Sequence, residues 1–188
     1  MKIAITGGIG AGKSYVCQAL MHRAISVYDC DEAAKRLMRE SGELRNALST
    51  LVGADLYRGE VLDKAMLARF ILQGQSNKTA VENIVHPAVA HDFICSGLDW
   101  LESAILFESS FNHRINLDYV VCVTAPLAVR VARITHRDNI SEACALDWIN
   151  AQMSQEEKAN RSDFIIYNDG QSDIDQQLDT ILSTIKYN

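Results

Sequence analysis

Ile3-Ala4-Ile5-Thr6-Gly7-Gly8-Ile9-Gly10-Ala11-Gly12-Lys13-Ser14 is the stretch that decides the fold. A short apolar run over residues 2–6 stops at two glycines, and residues 13–23 then carry a helical pattern. The segment therefore reads as strand, loop, helix. Its second part, Gly7 to Ser14, satisfies G-x-x-x-x-G-K-[ST] in full. Glycines let the backbone take crowded or left-handed conformations, so that successive N–H groups can turn inward onto phosphate oxygens. The helix opening at Lys13 adds the positive end of its dipole. Lys13 offers a point charge to the outer phosphates, and the Ser14 hydroxyl is a ligand for Mg2+. Gly8, Ile9, Gly10, Ala11, Gly12, Lys13 and Ser14 are thus the candidate nucleoside-triphosphate site.

Outward from this loop, strands and helices alternate. Ser26 to Tyr28 is a second, very short strand, and residues 31–97 are almost wholly helical, with Met66, Leu67, Phe70 and Ile71 on one face. Strands follow at Ala104–Phe107 and Tyr119–Val123, and helical patterns at 127–136 and 142–160. A last strand, Phe164–Tyr167, precedes a helix whose Ile174, Leu178, Ile181, Leu182 and Ile185 form one apolar stripe. This order predicts an α/β fold, a parallel sheet with helices on both faces. The 31–97 block is too helical for a simple crossover and reads as an inserted subdomain.

The 188 residues fit one domain with small insertions, and 48% hydrophobic with 22% charged residues excludes a disordered or fibrous chain. The longest apolar runs are four or five residues, far short of the roughly 20 that span a bilayer. The start is too short in apolar residues for a signal peptide. Five cysteines without a CxxC pair read as reduced thiols of a cytoplasmic protein. Cys17 and Cys122 fall on apolar positions and read as core. A net charge of -6 argues against a general nucleic-acid binder but leaves room for an anionic small ligand where positive charge is concentrated.

That concentration occurs at Arg130, Arg133 and Arg137, spaced i, i+3, i+7, which fall in one sector of roughly 60° on a helix. Three cations on one face repel one another unless an anion lies nearby, so this face reads as a phosphate clamp. A guanine-nucleotide switch would carry N-K-x-D; Asn77-Lys78-Thr79-Ala80 lacks the acid. A kinase needs an acid near the acceptor hydroxyl. Asp29 and Asp31 follow the second strand and Glu108 ends the third, at the carboxyl ends where open α/β sheets bind ligands. Asp29 and Asp31 alternate with Cys30, so only one of them need face the loop, and either acid is alternatively a helix cap. His86-Pro87 and His91 do not make a zinc site: five residues on a helix set them about 140° apart, and Pro87 reads as a helix start. His86 is left as a hinge or a substrate contact.

Taken together these residues resemble the dephospho-CoA kinase family, essentially end to end. Thr6 to Ser14 is similar to its TGGIGSGKS, Asp29-Cys30-Asp31 to its D-A-D segment, and Asn83 to Pro87 to its helical segment ending in HP. Leu106-Phe107-Glu108 resembles its LLFE strand end. Arg133, Arg137 and Asp138 match R-x-x-x-R-D, Gln152 falls at its lid glutamine, and Ser162 to Gly170 resembles ADYVIDNDG. Three positions depart: Tyr15 where threonine is usual, Ala104 for proline, and Lys64 for an arginine among the coenzyme contacts. Lys cannot fork bidentately to a phosphate.

The resemblance implies a P-loop kinase fold like that of nucleoside monophosphate kinases, with a five-stranded parallel core (1–30, 98–129 and 161–188). It adds a helical coenzyme-binding subdomain (31–97) and a lid (130–160). It implies transfer of the γ-phosphoryl group of ATP to the ribose 3'-hydroxyl of dephospho-CoA, with another nucleotide or small-metabolite kinase as the alternative. Asp31 is then the base, Lys13 and Mg2+ on Ser14 neutralise phosphates, and Arg133 and Arg137 descend from the lid. Asn168 lies beside the adenine, Tyr15 joins the ATP-binding residues, and Asp31, Lys64, His86, Phe107 and Glu108 contact substrate. The resemblance leaves oligomeric state open.

Overall fold

Four consecutive buried residues make β1 (Ile3–Thr6), the continuous apolar strand that a sheet covered on both faces requires. A computed structural model of the chain describes it within residues 1–186. After the loop comes α1 (Lys13–Met21), then β2 (Val27–Asp29). The chain divides into two compact units, Met1–Tyr28 with Leu98–Asn188, and Asp29–Gly97.

In the first unit the later elements are β5 (Trp100–Glu102), β6 (Tyr119–Thr124), α6 (Leu127–Asp138), α7 (Glu142–Asn150), α8 (Gln155–Asn160), β7 (Phe164–Tyr167) and α9 (Ile174–Lys186). The five-stranded parallel sheet has the order β2-β5-β1-β6-β7, with helices on both sides. β1 runs parallel to β5 with Ile5 opposite Glu102, and parallel to β6 with Ile5 opposite Val121. The chain places β2 and β5 on one side of β1 and then crosses to add β6 and β7 on the other. The carboxyl end of β1, where the glycine loop begins, is therefore at the switch in strand order, where such sheets bind ligands. Ile3, Ile5, Val16, Leu20, Val121, Val123 and Ile166 form one core with the α9 stripe Ile174, Leu178, Ile181 and Ile185. Each such side chain contributes about 1.5–3 kcal/mol on full burial.

Two sequence expectations fail here. The third strand is Trp100–Glu102, not Ala104–Phe107. Its ladder ends where Ser103 N–H donates to Ile5 O at 3.0 Å, and residues 104–110 form turns. The apolar run misled because Leu106 and Phe107 are buried from those turns rather than from a strand.

The second failure lies in the other unit. There α2 (Cys30–Glu40), α3 (Gly42–Val52), a hairpin of β3 (Tyr57–Arg58) and β4 (Val61–Leu62), and α4 (Lys64–Leu72) precede α5 (Gln75–Ser96). Pro87 lies inside α5 and does not start it. Proline costs the bond to the carbonyl four residues back. Val81, Val85, Val89 and Phe93, buried one turn apart on either side, hold the helix through it as α5 packs against α2, α3 and α4. Side-chain caps define the helix starts: Asp29 accepts from Glu32 N–H at 2.9 Å and Asp63 from Met66 N–H at 2.9 Å.

Candidate active site

The phosphate loop is shaped by close approach. Gly12 has φ 93° and precedes α1, and a Cβ there would lie 2.1 Å from Asn168 Nδ2. Gly7 has φ 147°, and its Cβ would lie 2.3 Å from the Val123 carbonyl oxygen. A side chain at Gly7 would collide with backbone, and one at Gly12, in a backbone conformation that favours glycine, would displace the Asn168 amide. Among the described residues the N–H groups of Gly10, Gly12, Lys13 and Ser14 make no hydrogen bond within the protein. Four open donors at the start of a nine-residue helix are a ready anion cradle. Ser14 and Tyr15 are exposed beside it.

Lys13 Nζ stands 3.5 Å from Glu102 Oε1, both side chains largely buried. Sequence reading missed Glu102 because it put the strand four to five residues too late. The apolar pair Trp100-Leu101 followed by an acid was the available signal.

The three arginines divide. Arg133 Nη1 donates to the carbonyls of Gly10 (3.3 Å) and Ala11 (3.2 Å), and its Nη2 to Asn168 Oδ1 (3.0 Å) and Asn168 O (3.2 Å). Asn168, buried, also donates from Nδ2 to Ala11 O at 3.0 Å. Arg130 is buried, with Nε donating to Ile9 O at 2.9 Å, and burial lowers its pKa. Arg137 is exposed and pairs with its neighbour Asp138 at 2.7 Å, which raises the arginine's pKa and lowers the carboxyl's.

Glu108 sits in the turn segment, not at a strand end. Its Oε1 takes an ion pair from Lys158 at 2.7 Å and a hydrogen bond from Met153 N–H at 3.2 Å. Lys158 is fully buried and also donates to Ala104 O at 2.6 Å; burial pulls its pKa down, and Glu108 opposes that. Nothing in the composition of α8 singled Lys158 out. Phe107 lies under the Arg161 guanidinium, 5.8 Å from ring centre. Cys122, buried in β6, has its thiol pKa pushed up to about 11 by burial. A cavity of about 710 Å³ opens between α6, the α7–α8 connection and the ends of β6 and β7, with Arg130, Gln152, Gln155 and Tyr167 on its walls.

The remaining sequence candidates belong to the Asp29–Gly97 unit. Asp29 ends β2 and caps α2, while Asp31 is exposed on the first turn of that helix. Strand alternation therefore cannot separate the two, as Asp31 is not on the strand. Asp29 accepts the Glu32 N–H as the cap of that helix. Lys64 is the first residue of α4 and is among the charges that lower the Glu32 pKa, after the dominant Lys35 hydrogen bond. His86 is half-buried on α5. The described residues hold no cluster of three or more His, Cys, Asp or Glu side chains placed for a metal.

A loop of open N–H groups around a lysine is shared by many nucleotide-binding proteins, and comparison with known sequences separates them. The dephospho-CoA kinase family model matches residues 1–173.

The chain belongs to the dephospho-CoA kinase family.

A dephospho-CoA kinase from Bacteroides fragilis is 38% identical over 185 residues, covering 95% of this chain and 89% of the relative. One from Porphyromonas gingivalis is 43% identical over 145 residues, 74% and 71% of the two chains. A Thermus thermophilus crystal structure superposes with a TM-score of 0.83 at 31% identity, over 98% and 97% of the chains. A shikimate kinase from Acinetobacter baumannii (TM-score 0.59, 14% identity, 100% and 93% coverage) shares the P-loop kinase fold. The family's reaction is ATP-dependent phosphorylation of dephospho-CoA to coenzyme A, the last step of coenzyme A synthesis, and this chain is a kinase of that reaction. No helix among the described residues is long and apolar enough to cross a membrane.

Proposed function

We propose the following division of labour for the dephospho-CoA kinase reaction. The loop from Gly8 to Ser14, with Tyr15 at its edge, binds the phosphates of ATP. The supporting observation is the set of open N–H groups of Gly10, Gly12, Lys13 and Ser14. Lys13, held by Glu102 when no nucleotide is bound, turns its ammonium to the outer phosphates. Such electrostatic contacts carry several kcal/mol of phosphoryl-transfer catalysis.

Mg2+ fits the site through one protein donor, the exposed Ser14 hydroxyl, with the remaining ligands from water and phosphate oxygens, the mode this ion favours. When bound, it supplies charge neutralisation at the β and γ phosphates. Arg133 already contacts the loop and clamps the phosphates there; Arg137, tied only to Asp138, adds its charge when the 130–160 lid closes. Asn168 uses both ends of its amide on Arg133 and Ala11, so its part in the nucleotide site is to brace the loop where the base-bearing end of ATP lies.

The Asp29–Gly97 unit binds the coenzyme, with Lys64 and His86 as contacts; Phe107 and Glu108 complete the acceptor side. One oxygen of Glu108, Oε2, is buried without a hydrogen-bond partner among the described residues and is available to a ligand donor. Asp31 accepts the hydrogen bond of the ribose 3'-hydroxyl and takes its proton as the oxygen attacks phosphorus. Lid closure excludes the water that would otherwise hydrolyse ATP. With a net charge of -6 the protein works on small anions rather than nucleic acid, in the cytoplasm.

The test is a coupled ADP-release assay with ATP and a panel of acceptors. Dephospho-CoA supports turnover at least a hundredfold above adenosine, nucleoside monophosphates or shikimate. Equal or better turnover with any of those would overturn the acceptor assignment.

A further inference from the structure

Ile9 differs from the open part of the phosphate loop. Where Gly10, Gly12, Lys13 and Ser14 leave their N–H groups open, the Ile9 N–H donates to Gln152 Oε1 at 2.8 Å. Its carbonyl accepts from Arg130 Nε at 2.9 Å. Its side chain packs on the cluster of Ile134, Ala145 and Ile149 between α6 and α7. One residue of the loop is thus held at both peptide groups and at its side chain, always by α6, α7 or the connection after α7.

Arg130 is a costly way to make such a contact. Its side chain is 6% exposed, it forms no ion pair with a carboxylate among the described residues, and Ile9 O is the acceptor it has. A Cβ on Gly8 would lie 2.4 Å from its Nη2, so the guanidinium lies directly against the loop. Burying a charge without a counter-charge is unfavourable unless it does something a neutral side chain cannot. Here the planar guanidinium both bonds Ile9 and adds positive potential at Gly8.

We infer that Arg130 and Gln152 are positioning residues for the phosphate loop, and that through Ile9 they link phosphate binding to the arrangement of α6 and α7. The inference rests on the loop being the ATP site. A loop ordered in advance does not have to be ordered by ATP, which strengthens binding. By linkage, nucleotide in the loop favours, to the same extent, the α6–α7 arrangement that holds Ile9.

The experiment combines amide hydrogen exchange at Ile9 in the ligand-free protein with ATP affinity by calorimetry, both read without acceptor. Gln152→Met keeps the size of the side chain and removes the acceptor oxygen, so the Ile9 amide exchanges about tenfold faster or more and ATP binds about tenfold more weakly, the scale of one lost hydrogen bond. Gln152→Glu retains an acceptor and keeps the slow exchange. Arg130→Met weakens ATP binding at least as much; if that variant fails to fold, the half-buried Gln152 position still decides. Unchanged Ile9 exchange in Gln152→Met overturns the clamp. Faster exchange with unchanged ATP affinity overturns its role in positioning the loop. A wild-type protein inert toward dephospho-CoA would sink the acceptor reading alone and leave both measurements standing.

Discussion

The two units of the chain use their charges differently. Around the loop of the Met1–Tyr28 and Leu98–Asn188 unit, a set of charged side chains is inside and bonded to one another or to the loop: Lys13 with Glu102, Lys158 with Glu108, Arg133 with Asn168 and two loop carbonyls. In the Asp29–Gly97 unit, they form surface pairs such as Lys35–Glu32 and Arg39–Glu40, with both partners mostly exposed. Surface pairs of that kind contribute about 0–1 kcal/mol each, whereas breaking a buried pair costs about 3–5. The first unit is therefore preorganised for phosphate before any ligand arrives, and the second presents its polar groups at low structural cost, free to be chosen for an acceptor. Substitutions in the first should disturb ATP binding or the fold; those in the second should disturb acceptor chemistry with little else.

Lys13→Ala tests the first half with the largest expected effect. Turnover falls by about 10²–10³-fold, the scale of one lost electrostatic contact to the transferring group, while the far-ultraviolet circular dichroism spectrum stays native. Wild-type turnover in a folded Lys13→Ala protein would remove the loop from the site.

Lys158→Met comes next, measured by urea unfolding. It leaves Glu108 buried without its cation, and about 3–5 kcal/mol of stability is lost. Lys158→Met with Glu108→Gln together recovers much of that, since a neutral pair leaves no uncompensated charge. A single variant as stable as the wild type would show the pair to be solvated.

Arg133 and Arg137 sharpen the contrast within one helix. Arg133 is bonded to the loop in the resting protein, so Arg133→Ala weakens ATP binding and turnover together, by about tenfold on the scale of a charged hydrogen bond. Arg137 is bonded only to its neighbour, so Arg137→Ala lowers kcat and leaves ATP affinity within about twofold. Equal losses in both quantities at Arg137 would mean that it binds the ground state.

How far the sequence revealed these differences depended on whether a residue's role was local. Gly7, Gly12 and Lys13 were legible because the motif is a run of backbone requirements, each met within eight residues. The α9 stripe was legible from its period, and four of the five strands lie within a residue or two of their expected limits. The third strand was not, because Ala104-Ile105-Leu106-Phe107 is more apolar than Trp100-Leu101-Glu102, and burial from a turn looks the same in sequence as burial from a strand. That error hid Glu102. Lys158, and the bonds that tie Arg130 and Gln152 to Ile9, were hidden for another reason: each rests on a partner between 50 and 143 residues away. No spacing rule reaches that far. Pro87 was misread because a proline signal is local, while what holds α5 through it is packing against three other helices.

Asp31 is where the contrast between the units can be decided. Asp31→Asn keeps the shape and the helical turn and removes the charge, and the measurement is ATP affinity and dephospho-CoA phosphorylation on the same preparation, with Asp29→Asn beside it. The account predicts that Asp31→Asn loses about 10²–10⁴-fold in phosphoryl transfer with ATP affinity changed by less than about tenfold. Asp29→Asn, a cap exchanged for a cap of similar quality, stays within about tenfold of wild-type turnover. Full turnover in Asp31→Asn, or an inactive Asp29→Asn protein beside it, would contradict the assignment of acceptor chemistry to Asp31.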